Sequence, residues 1–344
     1  MKVYFGTNRA PNRRRNPDGF TRDPNPVSPG ELRFGHILAA RDGTAIEDIE
    51  IYPEAKTRGV LTARTDFFTE IRDTMAREGR DLLIYVHGYD YSFEEAVLRT
   101  SAIVALYEAA GARLVPFVFT WPSDGRKLPF RSYYRDRDDA RNSALALSRG
   151  FQKLAERLEA LWRQEQDRRR QGGADGESLL CDQQIHVMAH SMGNFAFAHA
   201  LARMADEGAR PRRIWGEVIL AAADEDEDVF EPGKRLESLT HFCRRVTCYI
   251  DRDDVALKIS DVTKTNPDRL GAQGPVRPRS LPPQIEVVDC EPVTRAKRDI
   301  SRHQYYYKEQ AVIADIVAVL SGLPADDIAG RRYQAQKNHY RLGG

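Results

Sequence analysis

Short apolar runs alternate with helical patterns along most of the chain. The later runs are continuously apolar instead of alternating between apolar and polar residues, which is typical of strands buried on both faces. The predicted strands are LLIYVHG at 82–88, LVPFVFTW at 114–121, IHVMAHS at 185–191, EVILAAAD at 217–224, VTCYID at 246–251 and IEVVD at 285–289. The predicted helices cover 66–79, 93–110, 138–167, 192–207 and 308–320. This alternation predicts an α/β fold with a mostly parallel, doubly wound central sheet and helices on both faces.

Four segments outside this alternation are predicted to be extensions or loops of a single domain spanning 1–344. Residues 1–64 contain short β-like runs around a stretch rich in Pro, Asn and Arg, and predict a β-rich N-terminal extension. Residues 122–141 predict a polar cap loop at the carboxyl edge of the sheet. Residues 168–178 predict an exposed loop, and residues 325–344 a C-terminal tail.

Composition narrows the class of protein. The chain has 344 residues, a net charge of +1 and 41% hydrophobic residues, so it can bury a core and gives no general reason to expect nucleic acid or an anionic membrane as a partner. We expect neither a signal peptide nor a membrane span, and four scattered cysteines indicate reduced thiols in a cytoplasmic protein. No zinc-protease, dinucleotide or phosphate-loop motif is present, so we expect no metal and no cofactor. The oligomeric state is left open.

A candidate nucleophile follows the strand IHVMA. The stretch Ala189-His190-Ser191-Met192-Gly193 matches G-x-S-x-G with Ala in the first position, between an apolar strand and a helix. A turn this sharp strains the serine backbone and exposes Oγ, and it requires small residues two positions before and after. A helix N-cap serine is the structural alternative. We interpret Ser191 as the nucleophile.

The base and the acid are sought downstream of Ser191, because the usual order in this context is Ser, then Asp or Glu, then His. After the strand IEVVD only two histidines remain, and His303 precedes a helix whereas His339 lies in a polar segment near the C-terminus. His303 is the predicted base. Asp254, after the strand VTCYID, is the preferred acid, and Asp224, at the end of VILAAAD, is the alternative.

The remaining site residues are assigned from strand ends. The backbone N–H groups of Met192 and of Tyr89, which follows His87-Gly88, are predicted to form the oxyanion hole. His87 is interpreted as a structural hydrogen-bonding residue. The predicted substrate-binding residues, for each of which core packing is at least as good an explanation, are Tyr91, Trp121, Tyr133 and Tyr305.

With these residues assigned, the chain resembles the DUF900 group of bacterial α/β hydrolases. The matching stretches are FGTNR at 5–9, VHGYDYSFEEA at 86–96, FTWPSDG at 119–125, VMAHSMGN at 187–194, LAAADED at 220–226, YIDRDDVALKIS at 249–260 and HQYYY at 303–307. The resemblance implies an α/β-hydrolase fold and a triad of Ser191, Asp254 and His303. The chain departs from the group's usual pattern at Asp253, where an Asn-like residue is common, and at Arg302, where a glycine often precedes the histidine.

These features predict a serine hydrolase, most simply a carboxylic-ester hydrolase that acts through an acyl-enzyme on small water-soluble esters. A thioesterase, an amidase or an acyltransferase would use the same triad. A non-catalytic interaction module of the same fold is the alternative from another class, although such modules usually lose the serine or the histidine.

Overall fold

One large sheet organises the part of the chain that the computed structural model describes, which is residues 1–13, 17–26, 30–52, 62–123, 129–170, 181–209, 212–262, 268–295 and 301–343. The strands are β1 (Lys2–Thr7), β2 (Arg9–Pro11), β3 (Phe20–Pro24), β4 (Arg33–Ala39), β5 (Ile46–Ile51), β6 (Asp81–Val86), β7 (Leu114–Thr120), β8 (Ile185–His190), β9 (Trp215–Ala221), β10 (Cys243–Ile250), β11 (Ile285–Asp289), β12 (Arg331–Gln334) and β13 (His339–Leu342). The α-helices are α1 (Thr62–Glu78), α2 (Phe93–Ala109), α3 (Pro129–Arg170), α4 (Met192–Asp206), α5 (Val255–Val262), α6 (Leu270–Gln273), α7 (Glu291–Thr294), α8 (Tyr305–Lys308) and α9 (Gln310–Leu320).

The strand order within the sheet is β12-β13-β11-β10-β9-β8-β6-β7-β1-β4-β5, and every neighbouring pair from β13 to β1 is parallel. The strands β8 and β9 are buried along their whole length, as their continuous apolar character predicts. Because the strands are parallel, the loops that follow β6, β8, β9, β10 and β11 meet at one edge of the sheet.

Two apolar cores fill the two faces of the sheet. One face packs against α1, α3 and α4, and the other packs against α2 and α9.

The start of α2 shows how the local sequence determines where a helix begins. Ser92 accepts a hydrogen bond from the Glu95 backbone N–H at 3.1 Å, and the Glu95 carboxylate accepts one from the Ser92 N–H at 2.6 Å. This capping box fixes the point at which the loop after β6 becomes a helix.

Residues near both ends of the chain add strands to the sheet, and the C-terminal hairpin corrects the prediction of a tail. The predicted β-rich N-terminal extension contributes β1, β4 and β5 to the sheet, in which β1 pairs in parallel with β7 and antiparallel with β4. The predicted tail at 325–344 contains the hairpin β12–β13, in which β13 pairs with β11. The cause is that tertiary pairing supplies hydrogen-bond partners to short polar segments whose own composition gives no strand signal.

The predicted cap loop at 122–141 is wrong from Pro129 onward, where the long helix α3 begins. The residues of this helix that face the protein include the polar side chains of Asp136, Arg137 and Ser143, which are buried with Ala140 at helical spacing. A hydropathy pattern misses such a face because its buried residues are charged or hydroxylated. Residues 124–128, and 171–178 of the predicted exposed loop, lie outside the described residues.

Candidate active site

A sharp turn connects β8 to α4 at Ser191. Its backbone has φ 53° and ψ −126°, in the left-handed half of conformational space that L-residues avoid. The Ser191 side chain makes no capping hydrogen bond to α4, although it stands at the N-cap position. The N-cap explanation for this serine therefore fails, and the strain is of the kind, about 1–3 kcal/mol, that is retained at functional sites.

Two glycines, Gly193 within this turn and Gly88 in the loop after β6, leave room around Ser191 that a side chain would fill. A Cβ atom at Gly193 would lie 2.4 Å from the carbonyl oxygen of Val86 and 2.5 Å from that of His87. A Cβ at Gly88, in the loop after β6, would lie 2.9 Å from the Ser191 Cβ. The absence of these two side chains lets the loop after β6 pass directly against the serine.

His303 and Asp254 form a close pair at the same edge of the sheet. His303 Nδ1 lies 2.7 Å from Asp254 Oδ2, and the Asp254 side chain is fully buried. The other carboxylate oxygen of Asp254 accepts the backbone N–H of Leu257 at 3.1 Å, at the first turn of α5. Since both oxygens are engaged, the carboxylate is held in one orientation toward the imidazole.

Asp224, the alternative acid, has different partners. Its Oδ2 accepts the Tyr133 hydroxyl at 2.6 Å, and its Oδ1 lies 3.4 Å from Arg269 Nε and 3.7 Å from Arg137 Nη1. The backbone of Asp224 nevertheless lies beside Ser191, because the Asp224 N–H donates a hydrogen bond to the Ser191 carbonyl at 3.2 Å. This carboxylate therefore links helix α3 to the site.

Arg302, the residue before His303, has a strained backbone and a guanidinium that is held by ion pairs. Its φ of 47° is left-handed, which is the conformation a glycine would adopt without cost. Its guanidinium lies 2.8 Å from both Asp251 and Asp253 and donates to the Thr294 hydroxyl at 2.6 Å. Asp253, the carboxylate that departs from the family pattern, is thus paired with Arg302 instead of competing for His303. The ion pairs hold the strained loop that carries the histidine.

Two further histidines support the site without titrating near neutrality. The His87 ring stacks on Trp121 at 5.1 Å, its Nε2 accepts the Trp121 backbone N–H, and burial, followed by the Arg9 charge, lowers its pKa to about 3. The structural interpretation of His87 agrees with this geometry. His190 was not predicted to have a role; its Nε2 donates to the His303 carbonyl at 3.1 Å. Burial, then the neighbouring His303, holds the pKa of His190 well below its usual value.

A cavity of about 700 Å³ opens over Ser191 and His303. Of the four predicted substrate-binding residues, Tyr91 and Tyr133 line it, and so does Tyr89. Trp121 and Tyr305 do not: both are buried, the former against His87 and the latter with its hydroxyl bonded to the backbone of β10. These two predictions are wrong, because an aromatic residue at a strand end packs into the core as readily as into a site. Met192, whose N–H is a predicted oxyanion-hole donor, is the first residue of α4 and is buried.

Metal binding has no support in the described part of the chain, where no group of three or more His, Cys, Asp or Glu side chains is arranged to hold an ion. None of the described helices combines the length and apolarity that crossing a membrane would demand.

The parallel sheet with its strained serine turn defines the class of α/β hydrolases. A family model described as alpha/beta hydrolase of unknown function (DUF900) matches residues 63–161 and 180–320, and the chain belongs to this family. Comparison with curated proteins finds no match.

Solved structures of two esterases have weak overall similarity to the chain. A hyperthermophilic esterase from the archaeon Pyrobaculum calidifontis is 12% identical, with a TM-score of 0.35, over 88% of this chain and 84% of its own. The carboxylesterase EstE1, cloned from a metagenomic library, is 11% identical, with a TM-score of 0.33, over 86% of this chain and 87% of its own.

Proposed function

We propose that this hydrolase is a serine carboxylic-ester hydrolase in which Ser191, His303 and Asp254 form the catalytic triad. The observation that carries the proposal is the 2.7 Å contact between His303 Nδ1 and the buried Asp254, at a cavity that Ser191 also lines. With Nδ1 donating to Asp254, the neutral imidazole keeps its lone pair on Nε2, which is the tautomer that a general base needs.

In the proposed reaction His303 Nε2 takes the Ser191 hydroxyl proton as Oγ attacks the ester carbonyl carbon. The negative charge that develops on the carbonyl oxygen is stabilised by the N–H groups of Met192 and Tyr89. The C–O bond to the alcohol breaks as His303 returns the proton to the leaving alkoxide. Water, deprotonated by the same imidazole, then attacks the acyl carbon, and the C–Oγ bond breaks as His303 returns the proton to Ser191, which releases the carboxylic acid. The Asp254 carboxylate stabilises the imidazolium formed in each half-reaction.

The lining of the cavity favours a small, water-soluble ester over an emulsified lipid. Acidic and amide side chains of Asp42, Asp90, Glu95 and Gln304 stand beside the tyrosines. A site for an oil interface would present a broad apolar face instead. The retention of a strained serine with an oriented histidine argues against a non-catalytic module, because strain of this kind persists only where the surrounding structure enforces it.

Labelling with a fluorophosphonate probe tests the nucleophile. The wild-type protein should react and release p-nitrophenol from p-nitrophenyl butyrate, whereas Ser191→Ala should do neither, with a rate loss of at least about 10⁴-fold. Ser321→Ala, which alters an exposed serine after α9, is the matched control and should behave as wild type. Labelling that survives in Ser191→Ala defeats the assignment.

The acid is tested by comparing two isosteric substitutions. Asp254→Asn should lower kcat on the order of 10⁴-fold, because an amide facing Nδ1 selects the tautomer whose Nε2 cannot accept a proton. Asp224→Asn should cost far less rate, since that carboxylate pairs with Tyr133 and Arg269. A larger loss in Asp224→Asn than in Asp254→Asn reverses the assignment.

A further inference from the structure

The wall of the cavity formed by α2 carries a cation to which no role has been assigned. The residues Glu95, Leu98, Arg99 and Ala102 share one face of this helix and line the cavity together. Arg99 is the only arginine or lysine among the described residues that line it. The cavity also contains Ser191 and His303, so a substrate bound at the serine shares its space with this guanidinium.

Arg99 is surrounded by aromatic side chains. Its Cζ lies over the Tyr307 ring, 4.3 Å from the ring centre, which is within cation–π distance. Tyr85, Tyr91 and Tyr306 stand nearby. Burial raises the pKa of the phenols of Tyr85, Tyr91 and Tyr306, so they are neutral at pH 7 and do not compensate the positive charge.

No carboxylate within the described residues forms an ion pair with Arg99. The acidic side chains that line the cavity have hydrogen-bond or ion-pair partners other than Arg99. The Asp42 carboxylate accepts the Thr44 hydroxyl at 2.6 Å, and Arg22 lies 3.5 Å from Asp90 and 3.1 Å from Glu95. Asp224 is held by Tyr133 and Arg269. A half-buried cation that has no carboxylate partner among the described residues and shares a cavity with Ser191 can bind an anion from outside.

We propose that Arg99 binds an ionised carboxylate on the substrate, so that the enzyme prefers short esters that carry a second, free carboxyl group. The proposal rests on the proposed esterase function. A guanidinium presents two parallel N–H donors that match both oxygens of a carboxylate, and the contact with Tyr307 limits the positions that the Arg99 side chain can adopt. Arg22 contacts both Asp90 and Glu95 and offsets one of their two negative charges, which reduces the repulsion that an incoming anion meets there.

The experiment compares hemiesters with neutral isosteres. The substrates are the mono-p-nitrophenyl esters of succinic, glutaric and adipic acid, each paired with the methyl ester of its free carboxyl group, and p-nitrophenol release is measured. In the wild type, kcat/KM for at least one hemiester should exceed that of its methyl ester by about tenfold to a hundredfold, as for a hydrogen-bonded ion pair. Arg99→Gln should reduce this ratio to about one, and Arg99→Lys should retain part of it.

Arg41→Gln is the matched control, because it removes the same charge from an exposed position next to Asp42 and should leave the ratio unchanged. A wild-type enzyme that hydrolyses the methyl esters through Ser191 but prefers no hemiester overturns the proposal and leaves the esterase function intact. An unchanged ratio in Arg99→Gln also overturns it. With the enzyme-free rate subtracted throughout, hydrolysis of neither substrate series, or enzymatic hydrolysis that survives Ser191→Ala, contradicts the underlying esterase function instead.

Discussion

Arg302 supplies the sharpest test of how the loop carrying His303 is held. The residue adopts a left-handed backbone that suits glycine, and its guanidinium binds the fully buried Asp251 and the partly exposed Asp253. Replacing it with alanine removes the ion pairs and keeps the backbone strain. Replacing it with glycine removes both. Comparing the two variants therefore separates the contribution of the ion pairs from the cost of the left-handed backbone.

The expected magnitudes follow from the contacts. Loss of one partner leaves the Asp251 carboxylate buried without its counterion, which costs about 3–5 kcal/mol. Alanine also keeps a left-handed penalty of about 1–2 kcal/mol. Glycine avoids this penalty but adds about 0.5–1 kcal/mol of unfolded-state entropy. We therefore expect Arg302→Ala to lose about 3–5 kcal/mol of unfolding free energy, and Arg302→Gly to be more stable than Arg302→Ala by up to about 1.5 kcal/mol.

Urea denaturation monitored by circular dichroism measures these free energies of unfolding. Asp253→Asn is the control, because it removes the exposed ion pair with Arg302 but keeps the one with Asp251, and it should cost about 1 kcal/mol or less. The catalytic readout separates positioning from general instability. Both Arg302 variants should lower kcat for p-nitrophenyl butyrate by about tenfold or more while KM changes little, because misplacing a base affects the transition state more than ground-state binding.

Two results would refute this reasoning. If Arg302→Ala costs less than about 1 kcal/mol, the buried ion pair with Asp251 does not exist in solution. If Arg302→Gly is less stable than Arg302→Ala, the backbone at this position is not left-handed.

Three further predictions concern the turn, the partly buried His199 of helix α4 and the buried hydroxyl of Tyr305. Gly193→Ala should abolish fluorophosphonate labelling and lower the melting temperature, because its Cβ would collide with the carbonyls of Val86 and His87; labelling at the wild-type rate contradicts the turn geometry. Burial, followed by the charges of nearby arginines, lowers the pKa of His199 to about 3, so below pH 6.5 the unfolded chain binds a proton that the folded protein does not. Stability should fall as pH drops, and His199→Gln should remove about 1–2 kcal/mol of the loss between pH 7 and pH 5, measured by urea titration at both pH values. Tyr305→Phe should destabilise by about 1–3 kcal/mol in the same assay, since its buried hydroxyl bonds two backbone groups; a neutral effect contradicts those bonds.

The sheet and its crossing helices could be predicted because each depends on local pattern. Continuous apolar runs such as VILAAA are buried on both faces wherever they lie in the sheet, so the strand assignment did not require knowledge of the neighbours. The turn at Ser191 was equally local, because strand, small residue, serine and small residue are contiguous in the chain.

Features that depend on partners distant in sequence were missed. The start of α3 buries Asp136 and Arg137, and a polar residue can be interpreted as buried only once its partners are known. Trp121 and Tyr305 were assigned to the pocket because both follow strand or site signals, whereas packing turns both inward. Arg99 gave no signal, since a helical arginine is usually solvated and only the fold brings its face to the cavity.

The sequence by itself determined the order of strands and helices, the strained serine and the short set of histidines and carboxylates that could serve it. The tertiary structure decided which carboxylate faces His303 and which is held by arginines, because each contact joins segments that are far apart in the chain. His303 and Asp254 are separated by 49 residues, and Tyr133 and Asp224 by 91. Local pattern encodes burial and turns, whereas the pairing of charges at the sheet edge depends on how parallel strands bring separate loops together.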